Sequence, residues 1–187
     1  IYILKNALLI QLAGFLLLAI DFIPRFGWKK GTWFSLFHAV SAFGNAGFDL
    51  FGDSLVGFQQ NPWVLSIISG LIISGGLGFL VWSDVLSYKR VRRISLHSKI
   101  ALIVTATLLI FGTLGFMLTE GNAASLAEGN VIHRFFNTIF MSVTPRTAGF
   151  FSVDYASMTH AGLLLTIILM FIGGTSGSTA GGFKTTT

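Results

Sequence analysis

The stretch FSLFHAVSAFGNAGF at residues 34–48 decides the fold, because FNTIFMSVTPRTAGF at residues 136–150 repeats its shape later in the chain. With Gly47 laid on Gly149, the two agree at Phe34 and Phe136 and throughout the closing Ala-Gly-Phe. Each holds about ten largely apolar residues before a break, too few to cross a bilayer, which takes roughly 20. The pattern predicts a half-helix that dips into the membrane and a chain that returns as an extended loop. One copy alone reads equally well as an interfacial helix with an ordinary glycine stop; two copies favour paired re-entrant hairpins. Backbone that leaves the helix at membrane depth must be buried in protein or line a watery path. Carbonyls exposed to such a path are the material of a cation filter.

Working outward, composition places the chain in the membrane class. It has 187 residues, 53% apolar and 10% charged, with 19 Phe, and a mean hydropathy of +0.78; soluble domains do not look like this. The absence of Cys excludes disulfides and thiolate metal sites. Spanning helices are expected over 1–23, closed by Pro24, then over 63–83 and 98–118. The apolar run at 160–172 is too short to cross and predicts a helix that stops near mid-membrane. The offset that aligns the hairpins also lays the first span on the third and the second on the fourth. The fold class is therefore an all-α membrane protein built of helix, re-entrant pore hairpin, helix repeats, potassium-channel-like, with its last helix broken by a Gly-rich loop. The expected organisation is a first repeat at 1–88, a basic cytoplasmic linker at 89–97, and a second repeat at 98–187, truncated after the intramembrane loop. The chain reads as a segment of a longer polypeptide. One such unit cannot enclose a pathway, whereas several around an axis can, each contributing a loop to the narrow point.

Charge placement orients the chain. Lys89, Arg90, Arg92, Arg93 and Lys99 stand against Asp84 in the linker, with Lys5 and Lys184 toward the same side. The hairpin side holds Arg25, Lys29, Lys30, Arg134 and Arg146 against Asp21, Asp49, Asp53, Glu120, Glu128 and Asp154. The positive-inside rule puts the 84–99 segment in the cytoplasm and both hairpin mouths outside, with Arg25, Lys29 and Lys30 a local exception. The basic segment reads first as a topogenic signal and second as a dock for lipid headgroups or a cytoplasmic partner. Nothing in the pattern asks for nucleic acid.

Gly47 and Gly149 suit a filter because carbonyls turned toward an axis need dihedrals, or close approach between strands, that a side chain obstructs; each also reads as a plain half-helix stop. Phe48 and Phe150 are expected to pack behind the loops or to face lipid. Pro145 ends the second half-helix by withdrawing a donor. Asn45 and Thr147 occupy matching places and suit bonds to the loop backbone. Arg146 is expected to point outward, snorkelling or pairing with Asp154. Asp49 and Asp53 suit steering of cations toward the first mouth, while His38, His97, His133 and His160 are too scattered for a metal set.

The run GGTSGSTAGG at 173–182 cannot hold a helix by propensity. Its glycines, Gly173, Gly174, Gly177, Gly181 and Gly182, alternate with Thr175, Ser176, Ser178, Thr179 and Ala180. A phosphate-binding P-loop is excluded, since Phe183 intervenes before Lys184, the spacing is wrong, and a membrane helix precedes it instead of a strand. The expected role is a gate below the filter, its small residues permitting movement and its hydroxyls satisfying freed backbone. Lys184 reads as an electrostatic brake or an interfacial anchor.

AVSAFGNAGFDLFG (39–52), SVTPRTAGF (142–150) and FIGGTSGSTAGGFKTTT (171–187) together resemble the pore-forming membrane subunit of bacterial Trk/Ktr potassium uptake systems, the last string being closer to the Ktr type. The resemblance covers essentially the whole chain, which looks like the second and third of the family's four repeats. It implies that Gly47 and Gly149 are two of four filter glycines, with Asn45, Ala46, Thr147 and Ala148 in the filter loops, and that residues 173–182 are the intramembrane gating loop. It also implies potassium (K+) as the transported ion, sodium (Na+) as a coupling or activating ion, and a bacterial plasma membrane location. The implied partners are the lipid bilayer, a second copy in a homodimer, and a cytoplasmic ring of nucleotide-binding regulatory subunits. A secondary transporter of another solute would place more polar or charged side chains at mid-membrane than are found here, and a noncatalytic scaffold leaves the paired hairpins unexplained. An enzyme is not expected, because no nucleophile, base and orienting group can be assembled from the sequence.

Overall fold

The computed structural model describes residues 2–121, 126 and 130–184. Glu128, the final Thr185 to Thr187, and the side chains of Lys89 and Arg90 lie outside the described residues. Among the described residues six α-helices carry the fold: α1 (Tyr2–Phe26), α2 (Trp28–Phe43), α3 (Pro62–Val91), α4 (Leu96–Glu120), α5 (Val131–Val143) and α6 (His160–Phe171). Among the described residues there is no β-strand, only an isolated bridge between Ile172 and Phe183.

Among the described residues three stretches are long and apolar enough to cross a membrane: Ile3–Phe26, Pro62–Tyr88 and Leu96–Glu120. The remaining helices are shorter. The 12 residues of α6 rise about 18 Å at ~1.5 Å per residue, well short of a hydrocarbon core about 30 Å thick. The order is thus long, short, long, then long, short, short.

Three local features differ from the sequence expectation. Pro24 does not close the first helix: α1 runs on to Phe26, with the Gly27 N–H reaching the Ile23 carbonyl at 2.9 Å. Proline removes one donor near the end of a helix, where one lost bond is tolerable, and it is Gly27, at φ 78°, that turns the chain. α2 follows at once and packs so closely that a Cβ on Gly31 would sit 2.6 Å from the Phe22 carbonyl oxygen. The basic segment at 89–97 is largely helical, since α3 extends to Val91 and α4 starts at Leu96. Arg92, at φ 50°, makes the left-handed C-cap of α3, and Ser95 N-caps α4 by accepting from the Ser98 N–H at 3.2 Å. Asp84 holds this turn, accepting from the Ser98 hydroxyl at 2.6 Å and from the Ser95 hydroxyl. Finally, α3 breaks at Gly78, whose φ of 78° and ψ of 165° are not helical.

Two clusters form the core. The larger gathers Leu18 and Phe22 of α1, Ala39, Ala42 and Phe43 of α2, Val64, Leu65 and Ile68 of α3, and Phe140, Val143 and Phe150 from the second unit. The smaller joins Phe116, Met141, Val153, Met158 and Leu169. In a bilayer close packing, and not removal from water, holds such helices together, and the two units are welded where α5 and its loop enter the first unit's core. Glu120 at the end of α4 is fully buried. Its carboxylate accepts from the Thr159 N–H at 3.0 Å and from the Thr159 hydroxyl, anchoring the start of α6. Arg25, an exception to the charge rule, pairs with Asp21 at 2.8 Å.

Candidate cation pathway

The loops after α2 and α5 share one alternation in the sign of φ. Asn45 and Gly47 have φ of 49° and 71°; Thr147 and Gly149 have φ of 66° and 83°, with Ala46 and Ala148 between them at negative φ. In a β-strand successive carbonyls face opposite ways; alternating the sign of φ is the backbone condition for turning neighbouring carbonyls to one side. Asn tolerates the left-handed region, whereas a β-branched Thr is a strained occupant of it. Thr147 is held there by its surroundings: its N–H donates to the Pro145 carbonyl at 2.8 Å, and its hydroxyl accepts from the Gly181 N–H at 3.0 Å.

The two loops lie against each other at their glycines. A Cβ on Gly47 would meet Gly149 Cα at 2.7 Å, and one on Gly149 would meet Gly47 Cα at 3.0 Å. Only glycine satisfies both the dihedral and the contact. Beyond the glycines the returning chains also meet, the Leu55 N–H donating to the Phe151 carbonyl at 2.9 Å and the Phe151 N–H to the Ser54 hydroxyl at 3.0 Å. The two loops therefore meet at their glycines and again just beyond them.

Their supports are unequal. Phe150 is 1% exposed and packs toward His38, while Phe48 is 70% exposed. Behind the first hairpin, His38 is fully buried among Phe22, Phe34 and Phe51 and stacks on Phe51 at 4.4 Å between ring centroids. His38 is thus a core residue; among the described residues no group of His, Asp and Glu is arranged to hold a metal. Asp49 accepts from the N–H groups of Phe51 and Gly52 at 2.9 and 2.7 Å, forming the turn at the first mouth, and Asp53 is exposed.

Arg146 overturns the sequence expectation. It does not point outward to Asp154, which instead accepts from the Ala156 N–H at 3.0 Å. The guanidinium is 8% exposed and turns inward, donating to the Thr105 hydroxyl of α4 at 3.3 Å, and its Nε has no partner among the described residues. It lines a cavity of about 10 Å³ with Thr105, Gly76, Leu77 and Gly174, about the size that holds one water.

The segment 173–182 closes on itself, with the Gly173 N–H donating to the Phe183 carbonyl at 3.0 Å. It touches both filter-like loops from one side: Asn45 Nδ2 donates to the Thr179 hydroxyl at 3.0 Å, and Gly181 N–H to Thr147 as above. It also beds on the break in α3. The Thr175 N–H donates to the Gly76 carbonyl at 3.0 Å, the Thr179 N–H to the Gly75 carbonyl at 3.3 Å, and the Thr175 hydroxyl to the Leu77 carbonyl. The loop lies close on these glycines: a Cβ on Gly75 would fall 2.8 Å from the Thr179 hydroxyl and one on Gly78 2.9 Å from the Gly177 carbonyl, while on its other side Gly75 lies against the Phe43 carbonyl of α2. Lys184 Nζ donates back to the Ala180 carbonyl.

Sequence reasoning thus named both loops and the glycine run, but missed Gly75, Gly76, Gly78 and Thr105. The signal for the first three was present: three glycines within four positions of an otherwise apolar helix. Thr105 had none, because a lone Thr in a spanning helix is ordinary.

A family model described as TrkH, cation transport protein, matches residues 2–187. The potassium/sodium uptake protein NtpJ of Enterococcus hirae is 62% identical over 187 residues, covering all of this chain and 42% of that protein. Ktr system potassium uptake protein B of Bacillus subtilis is 42% identical over 179 residues, 95% of this chain and 40% of that protein. The chain therefore spans about two-fifths of the length of these relatives. In fold it is similar to the potassium transporter TrkH from Vibrio parahaemolyticus, with a TM-score of 0.70, 18% identity, and coverage of 97% of this chain and 38% of that one. A membrane chain with paired glycine loops, a family model matching it from residue 2 to residue 187 and relatives of this closeness belongs to the TrkH family of cation transport proteins.

Proposed function

We propose that this chain supplies two of the units that surround a potassium uptake pathway in the bacterial plasma membrane. In this reading Asn45, Ala46 and Gly47, with Thr147, Ala148 and Gly149, form filter loops that offer backbone carbonyls to a dehydrated cation, and residues 173–182 form the gate beneath them. The observation that carries it is the matched pair of loops, with the same alternation of φ and glycines in mutual contact. Carbonyl dipoles replace the hydration shell of the ion, and the C-terminal ends of α2 and α5 favour positive charge nearby. No carboxylate ring is required, and no covalent chemistry takes place.

Sodium acts as the coupling or activating ion; the potassium/sodium uptake name of the Enterococcus hirae relative supports this. The full-length protein works as a homodimer on a cytoplasmic ring of nucleotide-binding regulatory subunits. The basic turn between α3 and α4 lies on the side such a ring would approach.

The test is potassium and rubidium flux into vesicles holding the full-length protein, compared with Gly47→Ser and Gly149→Ser. Each substitution is expected to abolish the preference for potassium over sodium. Uptake of an organic solute without potassium flux would overturn the reading.

A further inference from the structure

The break in α3 and the loop 173–182 are bonded as substitutes for one another. In a continuous helix the carbonyls of Ser74, Gly75, Gly76 and Leu77 accept from the N–H groups four residues on, those of Gly78, Phe79, Leu80 and Val81. Here other donors reach all four. Ser74 receives the Trp82 indole N–H at 2.8 Å. Gly75 receives the Thr179 N–H at 3.3 Å, Gly76 the Thr175 N–H at 3.0 Å, and Leu77 the Thr175 hydroxyl. The Phe79 N–H, which a continuous helix would spend on Gly75, donates instead to the Gly177 carbonyl at 3.3 Å. At the rung between Gly75 and Phe79 the loop takes both bonding positions of the helix's own backbone.

We propose that α3 and the loop form one reciprocal switch, in which Gly78, Trp82 and Thr175 are positioning residues for the gate. With the loop seated, α3 is broken at Gly78 and the loop lies under Asn45 and Thr147. When the loop withdraws, α3 closes its own ladder through Gly78 and becomes continuous. Withdrawal without closure would strand buried carbonyls away from water, which is costly; closure supplies their partners and makes the open state accessible. The dihedrals of Gly78 are essentially reserved to glycine, so glycine there holds the broken arm of the equilibrium within reach. This proposal rests on the reading of 173–182 as a gate and extends that gate to a helix outside it.

The test uses the full-length protein in vesicles with a single cysteine introduced as Ala180→Cys; residues 1–187 hold no other thiol, and any cysteine outside them is replaced by serine beforehand. Ala180 is 4% exposed and lies against Gly174, so maleimide reacts slowly while the loop is seated. Gly78→Ala penalises the broken arm alone, and the labelling rate and the rubidium flux are expected to rise about tenfold. Because a Cβ at Gly78 meets Gly177 at 2.9 Å, Trp82→Phe is the companion variant. It removes the bond to the Ser74 carbonyl, which the switch assigns to the broken state, and adds no atoms against the loop; its labelling rate is expected to rise roughly fivefold. Thr175→Val is expected to speed labelling as well, and Thr175→Ser to restore the slow rate. If Thr175→Val speeds labelling while Gly78→Ala and Trp82→Phe leave it unchanged, α3 is a fixed seat and the proposal fails. If labelling responds as expected but no variant carries potassium or rubidium, the switch stands and the potassium reading falls.

Discussion

The side-chain amide of Asn45 donates to the hydroxyl of Thr179 at 3.0 Å, and that hydroxyl donates to the carbonyl of Phe43, also at 3.0 Å. One short chain of bonds thus joins the first filter-like loop, the end of its half-helix and the glycine-rich segment. If that chain is a functional unit, Asn45→Ala and Thr179→Ala should not add. Each is expected to lower the stability of the full-length protein by about 1 kcal/mol, with the double variant little worse than either, a coupling of roughly 1 kcal/mol. Thermal unfolding in detergent measures this, and strictly additive losses would show that the bond is not shared.

Thr147 offers a test of strain. It sits at φ 66°, where a β-branched residue costs of order 1–3 kcal/mol, while its counterpart Asn45 is at ease. Thr147→Asn is expected to raise stability by roughly 1 kcal/mol and to keep the preference for potassium. A lower unfolding temperature would mean that the bond from Gly181 outweighs the strain.

Arg146 carries a buried charge with one hydroxyl partner behind the second loop. Replacing buried ionic groups with apolar ones of similar volume is often neutral or stabilising, so Arg146→Met should fold. Positive charge near a cation path disfavours occupancy, and the variant is expected to lower the half-saturating rubidium concentration about threefold, while Arg146→Lys stays near the parent value. An unchanged value in Arg146→Met would show that the charge is screened from the path.

His38 is expected to be replaceable. Its Nε2 has no partner among the described residues, and an unsatisfied buried polar atom costs about 1–3 kcal/mol. The matching residue of the second unit is Phe140. His38→Phe should therefore hold or raise the unfolding temperature with little change in flux; a large loss of flux would give the imidazole a role beyond packing.

Much of this arrangement was legible in the chain itself. Length and apolarity fix three spans and the short fourth helix, because each is a property of one segment measured against membrane thickness. The repeat of Ala-Gly-Phe fixes the pair of loops, because glycine at matching places reports a backbone demand that does not depend on neighbours. The end of α1 was misread for the opposite reason: near a helix end, Pro24 matters less than the packing of α2 on α1.

What only the tertiary structure decided concerns groups that meet across the chain. The inward turn of Arg146 onto Thr105, the contact of Gly47 with Gly149, and the seating of Thr175 on the carbonyls of Gly76 and Leu77 each join residues far apart in sequence. A glycine in an apolar helix costs little and signals little by itself, so the run at 75–78 could not declare its purpose. Its meaning appears once the loop 173–182 lies on it, where the freed backbone groups of one segment are satisfied by the other.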